Sequence, residues 1–306
     1  FYVLNQYFIQ LAKGLEQVKT MGIAGLLGTI VMLITNVLFL IVFKWKLPGF
    51  FLANILSQAI PVCYFFLKIN FWKFITITEK DKYLTRNMLI YCTPLIASVI
   101  GWWINSGSDK YVVTFYYGLA ANGLLSVAYK IPSILNTFQG IFIQAWQISA
   151  IREYGKKEMD RFYGNIFLIT NVLMCAACSW LILLTKPLAR LLYAKDFYIA
   201  WKFVPFLLIS CVMNCASGIL GPILSAKKDS KSMSVSAIYG AGVNVVLNIV
   251  LIHLLGVQGV TIATAISSYI IYRVRKHAVG GNITIESYAS VLSTWGLLCI
   301  QAFLEV

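Results

Sequence analysis

The sequence predicts an all-α, polytopic membrane protein, and three observations carry that expectation. Hydrophobic residues fill 59% of the 306 positions and charged residues only 12%, a balance that leaves too little polar surface for a water-soluble domain of this size. Apolar runs such as 21–43 and 234–255 are long enough to cross a hydrocarbon core of about 30 Å as helices. The 25 Lys and Arg residues lie mainly in short connectors between such runs. The net charge of +14 therefore reads as membrane topology and not as the footprint of a nucleic-acid partner.

Ten apolar segments follow in order, at about 1–12, 21–43, 48–67, 88–117, 122–150, 162–184, 201–225, 234–255, 257–272 and from 288 onward. Each is read as a helix because lipid leaves the polar groups of irregular backbone unsatisfied. Basic residues alternate between connectors. Those after the odd-numbered segments hold Lys13 and Lys19, then Lys68, Lys73, Lys80, Lys82 and Arg86, then Arg152, Lys156, Lys157 and Arg161, then Lys227, Lys228 and Lys231, and last Arg273, Arg275 and Lys276. The opposite side has Lys44, Lys46, Lys186, Arg190, Lys195 and Lys202, and seventeen against six places the first set in the cytoplasm. Both flanks of 88–150 are basic, so an even number of spans lies between them. A turn within 117–123 divides it into two helices of similar length and puts Asp109, Lys110 and Lys130 inside the helices. The chain begins at Phe1 and stops at Val306 inside an apolar run, so both ends are expected to be cut.

The chain also repeats itself. Lys19, Met21, Gly28, Val31 and Asn36 match Lys231, Met233, Gly240, Val243 and Asn248, and after a two-residue gap Gly49, Ala53, Ser57 and Ile60 match Gly259, Ala263, Ser267 and Ile270. The small residues at spacing four read as a close helix-packing face. The copies lie six helices apart and share an orientation, which predicts two parallel six-helix bundles, the first incomplete. The expected organisation is the end of the first lobe over 1–68, a cytoplasmic linker over 69–87, the second lobe over 88–276, and a loop with the start of a further helix over 277–306.

Polar residues inside the spans are the candidate functional groups. Asn122, Ser126, Lys130, Ser133, Thr137, Gly140, Gln144 and Gln147 recur at spacings of three and four, one continuous polar face on a membrane helix. Ser98, Trp102, Asn105 and Asp109 make a shorter stripe on the preceding helix. Asp109 and Lys130 lie at similar depth from the shared turn, which makes them candidate partners. A charge at the bilayer centre costs about 2.5–3.5 kcal/mol on insertion scales, so Asp109, Lys110 and Lys130 are expected to face protein or a water-filled cavity. A structural Asp109–Lys130 pair with Lys110 reaching outward is the plainer alternative. The length of the stripe favours a cavity. Its excess of positive charge, from Lys110 and Lys130 with Lys13 near the cytoplasmic end of the first segment, suits an anionic ligand such as a phosphate or acidic sugar. Pro94, Pro132, Pro205 and Pro222 fall within spans, where kinks are expected.

Nothing in the sequence indicates an enzyme. The seven cysteines all fall in apolar runs, and Cys175-x-x-Cys178 has neither the loop context of a zinc site nor a redox partner motif. His253 and His277 are isolated, and no nucleophile–base pair or phosphate loop is visible.

These residues resemble the bacterial lipid-linked oligosaccharide flippases of the Wzx (O-antigen translocase) type, within the multidrug/oligosaccharidyl-lipid/polysaccharide exporter superfamily. The resemblance runs along essentially the whole chain and is strongest over 88–96, Trp102-Trp103 through Asp109-Lys110, Tyr129-Lys130-Ile131-Pro132, Gln144-Ala145-Trp146, 149–154, 205–208 and 221–227. It implies alternating access through a cationic cavity that moves an undecaprenyl-pyrophosphate-linked repeat unit to the periplasmic leaflet of the bacterial inner membrane. The implied partners are that glycolipid, membrane lipids and other polysaccharide assembly proteins. No cofactor is implied beyond coupling to a proton or sodium gradient. Asp109, Lys110 and Lys130 match the family's embedded positions, with Asn105, Ser133, Thr137, Gln144 and Lys13 expected in the same cavity. Relatives often carry Arg where this chain has Lys110 and Lys13, so phosphate contact here would be monodentate. A multidrug or cation antiporter of the same superfamily is the nearest rival, although Asp109 is the only well-embedded acid. A glycan polymerase or ligase is more distant, because the extracytoplasmic connectors are short.

Overall fold

The computed structural model describes residues 1–69, 81–280 and 288–305. Among these are eleven α-helices and no strand: α1 (Tyr2–Gly14), α2 (Val18–Asn36), α3 (Lys46–Ile69), α4 (Lys82–Ala128), α5 (Lys130–Glu153), α6 (Met159–Leu183), α7 (Thr185–Leu192), α8 (Val204–Ala226), α9 (Ser230–Leu255), α10 (Val257–Val279) and α11 (Tyr288–Glu305). A π-helical turn, Val37–Val42, extends α2, and a 3-10 segment, Lys195–Phe203, precedes α8. The predicted linker falls largely on residues 70–80, and the predicted C-terminal loop includes 281–287; both stretches lie outside the described residues.

Six helical stretches are long and apolar enough to cross a membrane: Val18–Val42, Lys46–Ile69, Lys82–Ala128, Met159–Leu183, Asp196–Ala226 and Ser230–Leu255. Helices α5 and α10 have the length but not the apolarity. The first carries the polar stripe, and the second carries Thr261, Thr264, Ser267, Ser268 and Arg275. Large apolar side chains such as Leu26, Phe115, Leu191 and Leu304 are exposed, as expected where the surrounding solvent is lipid.

The chain forms two compact units, Phe1–Lys82 and Tyr83–Val306. In the first, α3 packs against both α1 and α2. Its core joins Phe8, Ala12, Ala24, Val62, Phe65 and Ile69, with the rings of Phe8 and Phe65 stacked at 5.9 Å. Asn5 donates to Gln58 at 2.7 Å and ties α1 to α3.

In the second unit α8 is the central post, buried along almost its whole length and packed against α5, α6, α10 and α11. Polar side chains lock these neighbours in place. The Trp146 indole donates to the Ile219 carbonyl at 2.9 Å, Tyr163 donates to the Ala150 carbonyl at 2.6 Å, and Trp295 on α11 donates to Asn171 on α6 at 3.0 Å. Helix α4 doubles back at Gly118, whose φ of 80° and ψ of 179° fall where only glycine sits without strain. Asp109 and Tyr129 would lie about 30 Å apart on a straight helix, yet they are hydrogen-bonded. The turn thus lies within the predicted 117–123. The returning arm breaks at Tyr129, between α4 and α5, because Pro132 has no N–H for the Ala128 carbonyl. Pro205 sits in the first turn of α8, where it causes no kink, whereas Pro94 and Pro222 lie inside α4 and α8.

The internal repeat is visible in the contacts. A Cβ on Gly28 would lie 3.1 Å from the Ser57 carbonyl and 3.2 Å from Pro61, and one on the matching Gly240 would lie 2.2 Å from Ile271, the counterpart of Pro61. Gly49 abuts Phe39, and their counterparts Gly259 and Leu251 abut in the same way. The α2–α3 and α9–α10 hairpins therefore close on equivalent small residues, which accounts for the spacing of four in the sequence.

Candidate functional site

Two polar surfaces emerge in the second unit, and they carry opposite charge. The first is internal. Asp109 on α4 is 1% exposed, and three side chains donate to its carboxylate: Tyr129 at 2.7 Å, Asn248 of α9 at 2.8 Å and Thr264 of α10 at 2.7 Å. Around them, Asn244 accepts from Asn248 at 3.0 Å and from Ser108, Asn244 contacts Ser267 at 3.4 Å, and Ser267 donates to Asn105 at 3.2 Å. Asn105, Asn244, Asn248, Thr264 and Ser267 are all buried. The amide oxygen of Asn248 is buried and has no hydrogen-bond partner.

A single carboxylate among amide and hydroxyl oxygens is a hard-ligand set, suited to a proton or an alkali cation and not to a transition metal. The Asn248 amide turns its nitrogen to Asp109 and leaves its buried oxygen without a partner, an acceptor that a bound cation could satisfy. Among the described residues no group of three or more His, Cys, Asp or Glu side chains is placed to hold a metal ion.

The second surface is external. Ser126, Lys130, Ser133, Thr137, Gly140 and Gln144 are exposed along one face of the returning arm and α5, while Leu125, Ala128, Ile131, Pro132, Leu135, Trp146 and Ala150 are buried on the other. Lys110 is exposed on α4 and lines a pocket of about 410 Å³ with Trp103, Gly107, Tyr111, Thr114 and Asn122. Asn122 is the first residue of the stripe, so the Lys110 pocket and the Lys130 face are continuous. The Ser133 hydroxyl donates to the Lys130 carbonyl at 2.6 Å and Thr137 to the Ser133 carbonyl at 2.8 Å. Those hydroxyls are satisfied within their own helix. Neither lysine ammonium has an ion-pair partner among the described residues.

The expected Asp109–Lys130 pairing is corrected here. Depth along the helix matched, but azimuth did not: adjacent residues point about 100° apart, and Tyr129, not Lys130, faces Asp109. Asn105 turns inward with Asp109, so neither belongs to the face that holds the lysines. Lys13 lies in the first unit, half-buried in the last turn of α1. The second correction concerns Arg275, which was read as a cytoplasmic connector charge. Helix α10 continues to Val279, and Arg275 is only 5% exposed within it. Asn244 and Thr264 carried no signal in the sequence. Asn248 and Ser267 appeared only as the repeat matches of Asn36 and Ser57, and Tyr129 only within the motif around Lys130.

No family model matches the chain, and no curated protein matches it. Its helices have the fold of the transporters of the MATE family and the MOP superfamily. A MATE crystal structure in a bent conformation is similar with a TM-score of 0.74 at 15% identity, covering 98% of this chain and 67% of that one. A MOP superfamily transporter from Pyrococcus furiosus, described as having a binding pocket of reverse polarity, gives 0.75 at 14% identity over 96% of this chain and 66% of that one. The lipid II flippase MurJ in an inward closed conformation gives 0.62 at 16% identity, covering 92% and 64%. Identities of this size establish the fold, and the chain spans about two thirds of the length of these structures.

Proposed function

We propose that this chain belongs to a flippase that carries an anionic, undecaprenyl-pyrophosphate-linked oligosaccharide, an O-antigen or similar repeat unit, across the bacterial inner membrane by alternating access. One observation carries the reading. Lys110 and Lys130 stand on one continuous exposed polar face without a carboxylate, while the embedded acid, Asp109, is turned into the bundle. An exposed cationic face suits diphosphate, and the amides, hydroxyls and aromatic rings around it suit sugar. The likeness to a lipid II flippase is consistent with such cargo. Asp109, with Asn248 and Thr264, is then the site for a coupling proton or sodium ion, which is co-substrate and not a resident cofactor.

A multidrug or cation antiporter is the second reading, and the multidrug MATE transporter among the similar folds favours it. A cationic drug needs an acid within its reach, and Asp109 is enclosed by three donors. Surface polysaccharide in cells expressing full-length protein separates the two. Lys130→Ala is expected to abolish it at normal protein level, with Lys110→Ala reducing it. Wild-type polysaccharide in Lys130→Ala, together with lost export of a cationic dye in Asp109→Asn, would favour the antiporter.

A further inference from the structure

Arg275 has no role in the cavity described above, and its burial calls for a reason. Its Nε donates to the Ser236 hydroxyl at 3.1 Å, its Nη1 to the Ser217 carbonyl at 2.9 Å, and its guanidinium lies 5.9 Å from the centre of the Trp102 ring. It has no acidic partner among the described residues. An uncompensated buried charge is costly, and a tether between helices needs no charge.

Its position supplies the reason. The polar seam between α4, α9 and α10 descends from Thr264 and Asp109 through Asn248 and Asn244 to Ser267 and Asn105. The next layer toward the cytoplasm is closely packed. There a Cβ on Gly101 would lie 3.0 Å from the Ala237 backbone, and Ile271 lies directly on Gly240. Beyond this collar, about 16 Å from Thr264 by helical rise, the seam resumes with Ser236 and Arg275. Any path from Asp109 to the cytoplasm along this seam would meet that close-packed layer and then a fixed positive charge. Hydrophobic constrictions and fixed arginines are among the devices by which membrane proteins bar cations.

We infer that Arg275, behind the collar of Gly101, Ala237, Gly240 and Ile271, is the inner electrostatic barrier of the second unit, which keeps a coupling cation at Asp109 from leaking to the cytoplasm. The inference rests on the reading of Asp109 as the coupling site. Arg275 is a positioning residue that acts through its field and touches neither cargo nor cation.

The test uses the full chain in proteoliposomes without glycolipid, with radiolabelled sodium uptake and an internal pH dye as separate arms for the two cations. Arg275→Gln is expected to raise passive flux at least tenfold in one arm, Arg275→Lys to stay near wild type, and the double variant Arg275→Gln/Asp109→Asn to return to the wild-type level. Wild-type flux in Arg275→Gln, or a leak that survives in the double variant, overturns the inference. Should Arg275→Gln not reconstitute, Arg275→His is expected to leak sodium at pH 8 and not at pH 6, and pH-independent flux overturns it. Asp109→Asn alone separates the two readings. If it keeps ion-dependent transport, the coupling reading falls and this one with it. If it loses that dependence while Arg275→Gln stays tight, only the barrier falls.

Discussion

Asp109 shows what depth alone can and cannot reveal. Counting residues from the turn placed it within the helix before Gly118, where the structure has it, because helical rise is fixed. Two of its three donors could not be counted out, because they come from α9 and α10 more than a hundred residues later. Thr264 and Ser267 read as ordinary small residues in an apolar hairpin. Their hydroxyls acquire meaning only when the carboxylate is brought against them. Removing one donor from a buried carboxylate costs about 1–3 kcal/mol. Thr264→Val is therefore expected to lower the thermal midpoint of the detergent-solubilised protein. The loss should shrink when Asp109→Asn is already present, since the two residues share one network. Additive losses would mean that the two side chains are not coupled.

At the scale of elements, the repeat was legible because packing constrains it. Gly28 and Gly240 face Pro61 and Ile271, and Gly49 and Gly259 face Phe39 and Leu251. Little room is left for a side chain at these positions, least at Gly240 and Gly259, so the glycines stand out from the apolar residues around them. The end of α10 was not legible. Basic residues after an apolar run resemble a connector whether or not the helix continues, and only the structure turns Arg275 back toward α8 and α9. Two substitutions probe these elements. Gly240→Val would place atoms on Ile271 and is expected to cost about 1–3 kcal/mol by overpacking, read as a lower thermal midpoint. Gly118→Val forces a β-branched residue into a glycine-only conformation at a cost of about 1–3 kcal/mol. It is expected to reduce the yield of folded protein, while Phe115→Leu, at an exposed position in the arm before the turn, leaves it unchanged.

Across the molecule, charge is sorted by surface. In the second unit the embedded acid, Asp109, is buried, and Lys110 and Lys130 are exposed on a polar face that bears no carboxylate. On the proposed reading, that sorting suits a carrier of anions driven by a cation. The most direct measurement is thiol labelling in membranes of full-length protein bearing a single cysteine at position 133, on the exposed face beside Lys130, or at position 105. A polyprenyl-diphosphate oligosaccharide is predicted to slow labelling of Ser133→Cys at least tenfold and to leave the slow labelling of Asn105→Cys unchanged. Equal labelling of Ser133→Cys with and without the glycolipid, in protein that still inserts and folds, would contradict the account.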